Sequence, residues 1–224
     1  MRSLLLSVAG MLLSAAMAIA ADHRVEPLKE GPPADALAKE IAAGLSPIGM
    51  KVIRGTSRTV CEIWVNRQWP VADGFKPAGE ALYPLSPGQL IGVVRYTNKG
   101  SDFRDQDIAK GVYTLRYARQ PVDGDHVGTS PTIDFLLLVR AADDKSAKPM
   151  PYKELTKLSI AASGGSHPAL LSMQKVTGEA DKLPSIRHND EKDWWIVRFA
   201  SGAKAGEQTR RLPVDLVISG VAAE

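Results

Sequence analysis

The residues with the most nameable chemistry lie in Asp123-Gly124-Asp125-His126-Val127-Gly128 and on to Asp134. Spaced as a calcium loop, Asp123, Asp125 and Asp134 supply the first, third and twelfth positions, and Gly128 the sixth-position turn. A hard cation needs such clustered oxygens. Val127 and Pro131 fit the fifth and ninth positions poorly, and Asp134 stands where a bidentate Glu belongs. Asp-Gly pairs also form ordinary hairpin turns, and the turn is the favoured reading. His126 and His167 both sit in Gly-containing loops. Either one, brought beside Asp123, Asp125 or Asp134, would be the general base of a hydrolase. Trp69, Tyr113 and Arg116 suggest a third chemistry, an aromatic face for a sugar ring with a cation beside it. Aromatics in strands are more often packing residues.

Stronger signatures are missing. There is no G-x-S-x-G elbow, H-E-x-x-H helix, paired C-x-x-C, P-loop or dinucleotide fingerprint. Ser172-Met173-Gln174-Lys175 matches S-x-x-K, but its S-D-N and K-T-G companions are absent. Cys61 is the only cysteine, which rules out an intramolecular disulfide, and its apolar setting predicts an inert thiol. The net charge of +3 is spread along the chain, so no nucleic-acid partner is expected. The leading expectation is a non-enzymatic binding or structural module with a glycan or other envelope component as partner. A hydrolase with a His/Asp loop site and a carbohydrate- or calcium-binding module are the alternatives. No cofactor is expected beyond calcium at the Asp loop.

The elements that must position these residues read mostly as strands. Met50–Arg54 and Thr59–Asn66 flank a Gly55-Thr56-Ser57 turn. Cys61, Ile63 and Val65 face one side, and Val60, Glu62 and Trp64 the other. Gln68–Gln89 reads as a long loop with packed aromatics. Leu90–Thr97, Val112–Arg119, Ile133–Val139, His167–Met173, Trp194–Phe199 and Leu212–Ser219 complete the strands. Val112–Arg119 alternates as if half-exposed, and Ile133–Val139 is apolar on both faces, as in a central strand. Helices are predicted over Pro33–Ala43, with Leu37, Ile41 and Leu45 in one stripe, and over Pro151–Ala162, ended by Gly164-Gly165. The fold class is mainly β: an antiparallel β-sandwich or partly open barrel with one or two short appended helices.

At the N-terminus, Arg2, the uncharged run Leu4–Met17 and Ala18-Ile19-Ala20 have the order of a secretory signal peptide, with cleavage near Ala20-Ala21. No stop-transfer charges follow, and no lipid-accepting Cys stands at the cleavage point. The expected organisation is a signal peptide over 1–21, a polar lead-in and short helix over 22–48, and one β-sandwich-like domain over 49–224. A secreted or periplasmic protein without a membrane anchor follows. The strand Ile108-Ala109-Lys110-Gly111-Val112-Tyr113-Thr114-Leu115, with the later Trp194–Phe199 and Val214–Ile218 strands, resembles segments of uncharacterised secreted bacterial β-sandwich families. The resemblance implies an exported β-domain and assigns no catalytic residue.

Overall fold

The computed structural model describes residues 22–75, 81–120, 130–179 and 182–222. Its strands are β1 (His23–Leu28), β2 (Gly49–Arg54), β3 (Arg58–Val65), β4 (Gln68–Pro70), β5 (Leu90–Tyr96), β6 (Gly100–Ser101), β7 (Asp107–Ile108), β8 (Gly111–Arg119), β9 (Asp134–Arg140), β10 (Leu170–Gln174), β11 (Ser185–Asn189), β12 (Trp194–Ala205) and β13 (Gln208–Ser219). The helices are α1 (Lys39–Gly44) and α2 (Tyr152–Ser163). One large sheet runs β1-β2-β3-β5-β8-β9-β10-β13-β12-β11, each neighbour antiparallel, with β4 added in parallel to β12. It curls until β1 and β11 touch, making a nearly closed barrel, and β6 and β7 form a separate small sheet.

Alternation explains the curl. Cys61, Ile63 and Val65 of β3, Val94 and Tyr96 of β5, Leu115 and Tyr117 of β8, and Leu136 and Leu138 of β9 all enter one interior core. The outer faces are covered locally. Leu37, Ile41 and Leu45 pack with Trp64, Leu90 and Val93 over β3 and β5, and Leu155 of α2 packs on Ala118, Leu137 and Val139. Gly164, with φ 68°, closes α2 in the left-handed conformation that glycine adopts without strain.

Several elements differ from the sequence expectation. The supposed lead-in is largely β1, an edge strand whose backbone pairs with β2 from His23 opposite Arg54 to Leu28 opposite Gly49. The first helix is not continuous: a 3-10 turn at Ala34–Ala36 is followed by extended Leu37 and Ala38 before α1 begins. That kink puts Leu37 in the same apolar cluster as Ile41. Strand β8 is buried on both faces rather than half-exposed, because α2 and the 141–150 segment cover the side that bears Thr114, Arg116 and Ala118. β4 lies within the Gln68–Gln89 stretch expected to be a loop, and β11 and the outer half of the β12–β13 hairpin are strands that the sequence pattern does not predict.

The seam between β1 and β11 has a side-chain latch. Trp195 of β12 lies with its ring centroid 4.5 Å from that of His23 of β1 and 4.5 Å from that of His188 of β11. Both His188 nitrogens meet carboxylates, Nδ1 at 2.8 Å from Asp190 and Nε2 at 2.8 Å from Asp193. Both nitrogens can donate only in the imidazolium form, and the Asp193 contact, joined by Asp190, raises the His188 pKa. A raised histidine pKa contributes stability that is present below the unfolded value, about 6.5, and is lost as pH rises through the folded one. Tryptophan fluorescence is expected to titrate with a midpoint above about 6.5, and His188→Gln to abolish that step. An unchanged titration in the variant would contradict the latch.

Candidate functional site

The sequence-predicted site residues are not brought together. Asp123, Asp125 and His126 lie outside the described residues. Trp69 is fully buried, its indole N–H donating to Ile91 O at 2.9 Å and its ring edge-on to Phe199 at 6.4 Å. Arg116 is also fully buried, held bidentate on Asp144 at 2.7 and 2.8 Å. It also donates to the carbonyls of Gly88, Lys148 and Ser146. Thr114 donates to the same carboxylate. Neither Trp69 nor Arg116 offers a surface to a sugar, which corrects the exposed aromatic face expected from sequence. Trp64 and Trp194 are buried as well, and the half-buried Trp195 has its ring against two imidazoles.

Asp134 spends its carboxylate inside the protein, accepting from Leu82 N–H at 2.7 Å and from the Tyr117 hydroxyl. Burial raises its pKa and these hydrogen bonds oppose the rise. His167 is exposed, with Nδ1 3.0 Å from Ser166 Oγ. Leu170 stands opposite Leu137, and Ala169 O accepts from Leu138 N–H. Strand rise therefore puts His167 more than about 10 Å from Asp134, toward the other rim. The pairing of His167 with Asp134 that a hydrolase needs is not formed. Ser172 Oγ bonds to Gln174 and Ser130, so the S-x-x-K spacing makes no nucleophile–lysine contact. Burial pushes the Cys61 thiol well above its usual range, leaving it inert. Among the described residues no three His, Cys, Asp or Glu side chains gather as a metal site, and no helix is long and apolar enough to cross a membrane.

The structure does build a cleft that sequence reasoning missed except for Tyr113. It has a volume of about 760 Å3 where the segment before α1 crosses the start of β8 and the end of β9. Leu37, Val112 and Ala141 give it an apolar floor, and Lys110, Arg140 and Lys145 line it with Asp35 as the one carboxylate. The register that pairs Tyr113 with Arg140 brings this basic group together. Tyr113 is itself buried and donates its hydroxyl to Ala109 O at 2.8 Å, which fixes the wall beside Lys110. Lys110, Arg140 and Lys145 are exposed, and none forms an ion pair among the described residues. Residues 110, 140 and 145 share no spacing pattern in the chain, so only strand pairing could reveal them.

Comparison with known proteins finds no matching family model, curated protein or solved structure.

The cleft's chemistry therefore rests on its own side chains. Unpaired ammonium and guanidinium groups over an aliphatic floor attract anions and exclude cations.

Proposed function

We propose that this chain is an exported, non-enzymatic binding module of the cell envelope that holds an acidic glycan in the cleft of Lys110, Arg140 and Lys145. The observation that carries the reading is the concentration of three exposed cations against a single carboxylate over an apolar floor. Export rests on the N-terminal pattern of Arg2, the apolar run and Ala18-Ile19-Ala20, and the resemblance to secreted bacterial β-families belongs to the same proposal. Neutral sugars are disfavoured because Trp64, Trp69 and Trp194 are buried and the half-buried Trp195 is already engaged by two imidazole rings. Recognition by charge leaves carboxylate-bearing sugars, whose pyranose faces suit the aliphatic floor.

An array of acidic and neutral glycans tests this. Acidic members are expected to bind at low salt and to weaken strongly by about 0.5 M sodium chloride, where exposed charges are screened within a few ångströms. Equal binding of neutral glycans, or none to acidic ones, would overturn the reading.

A further inference from the structure

Two further cations, Arg54 and Arg58, occupy the barrel rim, set by strand register rather than by the cleft. On one ladder row, His23 of β1 stands opposite Arg54 of β2, and Arg54 opposite Arg58 of β3. Side chains directly opposite on neighbouring strands share a face, with Cβ atoms about 4.5–5.5 Å apart, and like charges there repel. Arg54 and Arg58 form no ion pair or side-chain hydrogen bond among the described residues. Two nearby acids are already engaged, Glu26 on Arg24 and Asp107 on Lys99, each at 2.8 Å. Arg24 also donates to Gly55 O at 2.6 Å and Thr56 O at 3.0 Å. It thereby holds the hairpin turn that keeps Arg54 and Arg58 opposed.

The row borders a pocket of about 200 Å3, below the roughly 300–1,000 Å3 of drug-sized ligand sites. Hydroxyl-bearing Thr59, Ser101 and Ser219 also line it, with Lys99 and Asp107, which neutralise each other at 2.8 Å. Tyr96 forms part of the wall, and its buried hydroxyl has no hydrogen-bond partner among the described residues. Gly100 permits the close wall, since a Cβ there would meet the Tyr96 ring at 2.6 Å. A small space with two unneutralised guanidinium groups and several hydroxyl donors is the setting that a tetrahedral oxyanion satisfies. Arginine meets phosphate with paired N–H donors, and hydroxyls fill the remaining acceptor directions.

We infer that this rim pocket is a binding site for a phosphate group, free or as a monoester, gripped by Arg54 and Arg58. It goes beyond the glycan reading and shares no residue with that cleft.

Thermal unfolding in inorganic phosphate, against sodium chloride of equal ionic strength, tests the site. The melting temperature is expected to rise progressively with phosphate, as ligand binding to the folded state requires. Arg54→Gln/Arg58→Gln is expected to lose that response and, with the repulsion removed, to melt no earlier than wild type in phosphate-free buffer. Glycerol phosphate in a parallel arm separates the sources: stabilisation by both marks an ester-tolerant site, by inorganic phosphate alone a site for the free anion. Phosphate acting no better than chloride, or a response retained in the double variant, would overturn the inference. Lys110→Gln serves as a control that should leave the phosphate response intact, so failure here is distinguishable from failure of the glycan cleft.

Discussion

Replacing Arg116 by Met is expected to destabilise the protein by about 3–5 kcal/mol, the usual cost of stranding one member of a buried ion pair. Both side chains of the Arg116–Asp144 pair have no exposure, so Asp144 would be left as a buried carboxylate with only Thr114 for a partner. The damage spreads because the guanidinium also ties Gly88, Ser146 and Lys148 carbonyls to the outer face of β8. Urea denaturation followed by far-UV circular dichroism measures the loss. Arg116→Met/Asp144→Leu is expected to recover much of it, since removing both charges removes the uncompensated one. A single variant within about 0.5 kcal/mol of wild type, the range of ordinary surface changes, would contradict the structural role.

Trp69→Ala is expected to cost a similar amount, about 3–5 kcal/mol for an aromatic truncated in a packed core. The indole fills the space between β4 and the barrel, edge-on to Phe199, and its N–H satisfies Ile91 O. β4 joins the sheet through only three residues, Gln68, Trp69 and Pro70, paired with Gly202, Ala203 and Lys204. Loss of the ring therefore removes both the packing and the anchor of that short parallel strand. Thermal unfolding should show a lower melting temperature while binding to acidic glycans survives at temperatures where the variant is folded. Lost binding with unchanged stability would instead make Trp69 a ligand contact.

The barrel's middle was legible because it obeys period two with strong contrast. In β3 the alternation of Cys61, Ile63 and Val65 against Glu62 and Trp64 matches the two faces, but Val60, expected beside Trp64, packs against the interior core, because the register shift after Val52 leaves it as an extra residue between Thr59 and Cys61. The apolar run of β9 is buried at every position but its last. Segments that failed are those whose burial is partial or whose partners are distant. β1 has the sequence HRVEPL and β11 has SIRHN; both flank the seam, and neither shows a clean apolar face. The distal β12–β13 hairpin carries Lys204, Arg210 and Arg211 with no apolar period, yet its backbone pairs through to Ala205 opposite Gln208. Val112–Arg119 misled in the other direction, since Arg116 in an alternating strand reads as exposed until Asp144 is placed beneath it. Tyr113 was singled out as a ligand face and turns out to be a buried neighbour of the cleft. Lys110, Arg140 and Lys145 were invisible for a topological reason: β8 and β9 must pair before residues thirty positions apart share one wall.

The most direct measurement is calorimetric titration of a short uronic-acid oligosaccharide into wild-type protein and into Lys110→Gln/Arg140→Gln/Lys145→Gln. These side chains are exposed, so the variant should keep its melting temperature. Its affinity is expected to fall by about tenfold or more, which is roughly 1.4 kcal/mol spread over three screened charge contacts. Most of the salt dependence should disappear with it. Undiminished affinity in the triple variant, with the salt dependence intact, would contradict the assignment of this cleft.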